Sequence, residues 1–519
     1  MAAGLGAALP QVLRRRPAAV NRVVAENALP GASPEEWQVD GVGDPTVLGF
    51  ATPFSVAAGR RVTFLVDGSA DVVDVYRLGW YGGAGARLHA RLWNWATVQP
   101  PPVVIPGSNG AVECVNWMST AGWDVPFGTV SGVFVAVVRG RSGGRSHIPF
   151  VVRNDRRAAV VVKTSDATWQ AYNDYGGPGE AWNRGATLYG VGDAFTTDID
   201  RAFAVSWARP IVHRASRPQT ALFNSEYPLI RFLEEAGVDV QYVGCQDVDR
   251  SPVCLRRRVF VSSGHDEYWS TGMRTHVEAA RGAGTHLVFA SGNEVFWRTR
   301  FTDGGRVMWC FKDTMDGPTE GPNAAPGHVG GTPLDPVTWT GTWRDPRQPG
   351  GADGEDGLTG CEFRMNGIND VDAHVSGARF GASPFWRGTA VAAGADVTLP
   401  AVVGFEADEV AAPGVVLADT VVNLAGSRAD DAGQRYDGSG PMRWGIVVRR
   451  AASGAVTVGF GTCQWAWALS DVHDRQRPPV STAARQATLN LLADMGAPPG
   501  SVPPDLVAPV PSTWAAYGL

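Results

Sequence analysis

No apolar run in this 519-residue chain approaches the length of a membrane-spanning helix. No Cys-x-x-Cys pair occurs among the six cysteines, at 114, 245, 254, 310, 361 and 463, so a structural zinc site is not expected. Scattered cysteines of this kind read as buried thiols. A Cys245–Cys254 disulfide stays open, and with it the redox compartment and the cellular location. Charge is scarce. Asp, Glu, Lys and Arg make up 18% of residues, and the net charge is −6, against roughly 25% charged residues in typical soluble domains. The longest basic runs are the triplets Arg14-Arg15-Arg16 and Arg256-Arg257-Arg258, which read as solvated faces or strand flanks. A nucleic-acid footprint is therefore absent. There is no His-Glu-x-x-His, which argues against a zincin. His265-x-Glu267 matches half of a zinc-deaminase signature, but the Pro-Cys-x-x-Cys half is missing. Internal repeats are lacking.

What is abundant is glycine (64), proline (36) and tryptophan (19). Such a composition implies many turns and large cores or pocket walls in which to hide indole rings. The length implies two domains or more. Residues 1–23, Ala-rich with an arginine triplet inside, read as a flexible leader. From 24 to 155 the pattern is short and alternating. Val62–Val66, Val72–Leu78 and Gly132–Val138 read as strands between Gly/Pro/Asp turns, which predicts a β-sandwich of Ig-like kind. Gly79-Trp80-Tyr81-Gly82-Gly83 is expected at one end of it, reaching toward the neighbouring domain.

After Asp155 the pattern changes. Ala158–Lys163, Val238–Val243, Val259–Ser263 and Leu287–Ala290 read as buried parallel strands. Tyr227–Ala236 and Trp269–Gly282 read as helices, the second with Ser270 as N-cap. This alternation predicts an α/β domain over 156–498: a doubly wound sheet with its crevice at the carboxyl ends of the strands. The stretch from about 306 to 440 is loop-rich and short-stranded and reads as an insertion or lid. It carries Trp309, Trp339, Trp343, Trp386 and Phe405, which would make a small, dry, aromatic pocket if it folds over the strand ends, and it equally suits an insertion that only packs the two domains together. Ile446–Ala468 is hairpin-like, Ser481–Met495 is a closing helix, and 499–519 is a Pro-rich tail.

Three polar stretches fall where strands should end: Thr168–Asn173, Gly264–Trp269 and Ser291–Trp297. The middle one, Gly264-His265-Asp266-Glu267-Tyr268, has the strand–turn–helix pattern of a nucleophile elbow with no Ser or Cys at its tip. A histidine beside two carboxylates suits metal binding or acid–base chemistry, and it equally suits a turn that merely caps the next helix.

Several segments together resemble the large (β) subunit of N,N-dimethylformamidase and the family sharing its C-terminal domain. They are Glu26–Gly31, Tyr76–Gly83, Thr168–Asn173, Glu226-Tyr227-Pro228, Gly264–Trp269, Ser291–Glu294 and Gly459–Trp467, in that order. The resemblance implies a β-sandwich followed by a class I glutamine-amidotransferase-like, flavodoxin-like α/β domain. It implies a mononuclear iron, Fe(III), held by Tyr172, Tyr189 and Glu267, with Tyr175 a rival for Tyr172. His265 and Asn293 would stand beside the metal, and Glu406 in Gly404-Phe405-Glu406 is a further acid. His265 or Glu406 would move protons and Asn293 would donate a hydrogen bond to the substrate or the oxyanion. A small amide is the implied substrate, and a small partner subunit or a homo-oligomer the implied assembly. Phenolate and carboxylate oxygens suit a hard cation. Two other readings stand beside this one. The chain can be a catalytically silent binding or surface module, since a fold does not set a function. It can also be a thiol-dependent amidotransferase, although the elbow position carries no cysteine.

Overall fold

A computed structural model describes residues 21–154, 156–176, 187–189, 201–312, 339–348, 350–433, 436, 438–475 and 477–519. The expected leader lies outside the described residues as far as residue 20. From Arg22 the chain is already helical, over Arg22–Asn27, capped by the Asn21 side chain and with Val23 buried.

The fold is mixed α/β and rich in sheet. Near the N-terminus, one sheet orders Val47–Thr52, Arg61–Gly68 and Ala121–Asp124, and a second orders Ser55–Ala57, Arg145–Arg153, Gly132–Gly140, Ala70–Leu78 and Ala86–Trp93. They face each other across a core of Val62, Phe64, Val66, Val73, Val75, Trp123 and Phe150. Strand Gly132–Gly140 is buried on both faces. Phe134, Ala136 and Val138 enter this core, while Val133, Val135 and Val137 enter the larger one beyond. Successive side chains of a strand point to opposite faces, so its unbroken apolar run serves two cores at once.

The largest sheet has ten strands. Five are parallel neighbours, in the order Val240–Val243, Val160–Lys163, Val259–His265, His286–Gly292 and Val456–Gly459. The stretch read as loop-rich contributes strands Cys361–Gly367, Glu406–Val410, Val415–Val422 and Gly426–Arg428 to its antiparallel side. Met442–Arg450 and Val456–Gly459 form the expected hairpin. The closing helix runs Thr482–Asp494 with Ser481 as its cap.

Helix Leu222–Glu235 begins five residues before the expected Tyr227 and passes through Pro228. A proline inside a helix leaves the carbonyl four residues back without its N–H. Here that carbonyl belongs to Asn224, and it accepts from the indole N–H of Trp467 at 2.8 Å. The partner comes from the far end of the chain, which is why local sequence does not reveal the continuation.

The turn Gly79–Gly83 does reach the α/β part. The Gly85 carbonyl just beyond it accepts from the Tyr227 hydroxyl at 3.2 Å. Beside it, Arg77 and Glu234 form a fully buried ion pair at 2.6 Å. Cys245 and Cys254 are both free thiols.

Candidate active site

The carboxyl ends of the parallel strands hold a buried polar chamber. Strand Val259–His265 does not turn directly into a helix. After Asp266 and Glu267 the chain runs through a short strand, Tyr268–Ser270, paired in parallel with Trp297–Thr299, before helix Thr271–Gly282. The expected elbow is therefore replaced by a two-residue step, and the expected helix start at Trp269 moves to Thr271. Gly264 has φ +80°, and a Cβ there would lie 2.6 Å from Cγ of Glu226. Glycine is required at that point. Glu226 in turn accepts from the Ser165 backbone N–H at 2.7 Å and the Trp169 indole at 2.6 Å. Burial pushes its carboxyl up to about 8.

That contact positions helix Asp166–Tyr172, where the sequence pattern predicts a strand-end stretch. Thr168 on this helix accepts from the Glu267 backbone N–H at 3.1 Å, so helix and step are tied together. Tyr172 ends the helix. Its hydroxyl donates to Glu267 at 3.2 Å. The Tyr189 hydroxyl lies 2.8 and 2.9 Å from the two carboxylate oxygens of Glu267. The two phenol rings stack with centroids 4.1 Å apart. Tyr172, Tyr189 and Glu267 therefore meet, although Tyr172 and Glu267 are 95 residues apart in sequence. Tyr175 points elsewhere: its ring packs on Trp117, in a separate cluster with Phe50 and Leu65.

His265 Nε2 lies 2.6 Å from a carboxylate oxygen of Glu406 and 3.4 Å from one of Glu267. Asn293 donates its side-chain amide to Glu406 at 2.7 Å. Its backbone N–H donates to Asp408 at 2.8 Å, which holds the loop with Asn293 at φ +46°. All six expected site residues thus line one chamber. Of the expected lid aromatics, Phe405 packs edge-on against His265 at 5.2 Å. Trp386 instead donates to the Leu417 carbonyl, and Trp343 lies under Arg274.

The electrostatics are those of crowded acids out of water. Burial, then Glu267, holds both phenols well above the usual tyrosine range, with Glu406 adding to Tyr172 and the neighbouring phenol adding to Tyr189. Burial also raises Glu267, against the opposing pull of His265. His265 would be lowered by burial, but Glu406 and Glu267 outweigh this and leave it raised.

Several residues of the chamber were given no role on sequence grounds. Trp297 donates its indole N–H to Glu267 at 2.8 Å, and the Tyr268 hydroxyl donates to Tyr189 at 2.7 Å. Both lie in the polar stretches at the strand ends, Trp297 in Ser291–Trp297 and Tyr268 in Gly264–Trp269. Lys312 places its ammonium 3.3 Å from the Tyr189 ring centroid, and no motif marks it. Cys463 also reaches the chamber. One ligand atom each from His265, Glu406 and Cys463 lie within 4.8 Å of one another, a second buried group with metal-binding chemistry among the described residues.

A family model described as N,N-dimethylformamidase beta subunit-like, C-terminal, matches residues 72–477. No curated protein matches the chain.

Proposed function

The chain belongs to the N,N-dimethylformamidase beta subunit-like, C-terminal family, and from that premise we propose that it hydrolyses the C–N bond of a small linear amide with the help of a mononuclear ferric ion. The observation that carries this is the meeting of two phenols and one carboxylate, with hydroxyl–carboxylate distances of 2.8 to 3.2 Å, in a buried chamber. A silent module has no reason to collect three acidic oxygens out of water. Without a cation the group must keep its protons, because burial and mutual repulsion oppose ionisation. A hard, highly charged cation replaces those protons, and oxygen donors of this kind suit it. The donor set therefore fits ferric iron, with Tyr172, Tyr189 and Glu267 holding it.

When bound, such an ion supplies Lewis acidity, polarising an amide carbonyl and acidifying water. The chain does the rest. His265 Nε2 stands 2.6 Å from a carboxylate oxygen of Glu406, a pairing that suits delivery of a proton to a departing amine. Asn293 orients Glu406 through one amide hydrogen and has a second for a substrate oxygen. Phe405 and the stacked phenols keep the chamber dry and favour short, weakly polar amides.

We further assign residues 24–155 and 156–498 as two units, the second a doubly wound domain of the class I glutamine-amidotransferase-like kind. The strand order supports it: the chain places Val240–Val243 on one side of Val160–Lys163 and Val259–His265 on the other. Ligand crevices of such sheets open at that reversal, where Tyr172 and Glu267 stand. A thiol-dependent reaction is disfavoured. Cys463 is fully buried, its thiol donates to the Gly292 carbonyl, and burial raises it well above the usual thiol range.

The test is metal content, visible spectrum and amide turnover of the purified chain, with a graded series of formamides and larger acyl amides. We expect about one iron per chain, the order expected of a three-ligand site, and a tyrosinate charge-transfer band. Glu267→Gln, Tyr172→Phe and Tyr189→Phe should each lose iron and colour, with turnover falling by about a thousandfold or more, toward the upper end of what loss of a proton-transfer group costs. A protein that stays colourless and iron-free after reconstitution with ferric salt overturns the proposal. Iron without turnover of any amide returns weight to the silent module.

A further inference from the structure

At the amino ends of the same parallel strands the surface opens into a cavity of about 960 Å³, lined on its rims by Arg157, Arg256, Arg257 and Arg258. The volume lies within the range of small-molecule pockets, about 300–1,000 Å³. A smaller cavity adjoins it, sharing Arg157, Ala158 and Asp239 and adding Arg22 and Arg156. Four guanidiniums from two separate segments thus line the larger cavity, and Arg22 and Arg156 line the adjoining one, in a chain whose net charge is −6. Ordinary solvated arginines on an acidic protein find carboxylates. Here the side chains of Arg156, Arg157, Arg256 and Arg258 form no ion pair within the described residues, and the nearest acid of the lining, Asp239, accepts from the Ala159 backbone N–H.

The arrangement is held in place. Arg257 donates to the carbonyls of Arg256 and Arg156, which straps the two arginine-bearing segments to each other. The backbone N–H of Arg258 donates to the Ala159 carbonyl at 3.1 Å. Arg156, Arg157, Arg256 and Arg258, held close together with no ion pair among the described residues, cost free energy that an anion between them would recover. Between the rims the floor is small and apolar. It consists of Ala279, Ala280 and Ala283 on one helix end, Gly284 with open space around it, and Leu255. A guanidinium rim over an alanine floor fits a ligand with phosphates at one end and a flat apolar ring at the other.

We propose that this cavity binds a nucleoside di- or triphosphate, the arginines taking the phosphates and the alanine floor taking the base. The site is separate from the chamber at the carboxyl strand ends and does not depend on the reaction there. Its place at the opposite end of shared strands suits an effector.

Calorimetric titration of the full chain with ATP and with inorganic pyrophosphate at physiological salt tests this. We expect saturable one-to-one binding of ATP and weaker binding of pyrophosphate. The Arg256→Glu, Arg258→Glu double variant should weaken both by at least about tenfold, the loss of one strong contact. Ala279→Trp, which fills the floor at an exposed helical position and leaves the rim untouched, should weaken ATP while sparing pyrophosphate. Circular dichroism checks that each variant is folded. Three results overturn the proposal: no saturable binding of either ligand, binding that survives the arginine reversal, or a single-stranded oligonucleotide binding more tightly than ATP, which would assign the patch to a nucleic acid.

Discussion

The two ends of the parallel strands solve the placement of charge in opposite ways. At the carboxyl ends, Lys163, Asp266, Glu267, His265 and Glu406 are buried, and each lies within 3 Å of an oppositely charged or hydrogen-bonding group. At the amino ends, Arg256 and Arg258 stand in water around an open cavity. Burial makes an ionisable group depend on its partner for its very charge state, whereas exposure leaves it free to meet a ligand. One end is therefore built into the folded state, and the other adds little to it.

The sharpest way to break this contrast is at Lys163. Its ammonium pairs with Asp266, the residue before Glu267, at 2.6 Å, both side chains fully buried. Lys163→Met leaves a buried, unpaired carboxylate and should cost about 3–5 kcal/mol of stability. Urea denaturation checks this, and adding Asp266→Asn should restore part of the loss.

A smaller effect concerns pH. Burial, with Arg217 and Arg209 nearby, pushes the His213 imidazole down from 6.5 to about 3. The unfolded chain takes up a proton at this residue below pH 6.5, and the folded chain does not until far lower. The stabilising contribution is thus complete above pH 6.5 and is lost as the pH falls, by about 2 kcal/mol near pH 5. Stability of a His213→Gln variant, measured by urea midpoint, should fall less steeply across that window than that of the parent chain.

The smallest effect is expected at the open end. Arg258→Gln should change stability by less than about 0.5 kcal/mol, as surface substitutions do. It should also move His286, at the start of its strand, upward from about 4, because burial and then Arg258 hold that imidazole down. Histidine titration by NMR reads the shift. An unmoved His286 would mean that Arg258 does not hold that imidazole down.

Much of the fold was legible. Alternation located strands Arg61–Gly68 and Ala70–Leu78, and unbroken apolar runs located the parallel strands. Cap chemistry located Ser270. The strands between Cys361 and Arg428 were legible only as unplaced short strands, because they are held by pairing with Met442–Arg450 and with each other rather than by their own pattern. The helical form of Asp166–Tyr172 was missed because Glu226, from a distant helix, holds its first turn. In the site, motif resemblance singled out Tyr172, Tyr189, Glu267, His265, Asn293 and Glu406. Lys312 and Cys463 could not be picked, since nothing in their neighbours in sequence announces a ring or an imidazole that arrives from elsewhere.

The sequence by itself determined which residues seek burial, with what period, and where turns must fall, because these depend on side-chain chemistry and local backbone preference. It also determined that glycine stands at 264, where no Cβ fits. Only the tertiary structure decided that two phenols and a carboxylate up to 95 residues apart share one chamber, and that arginines from two segments ring one cavity. Both follow from which strands lie side by side, and strand order is set by packing over the whole chain, not by any segment of it.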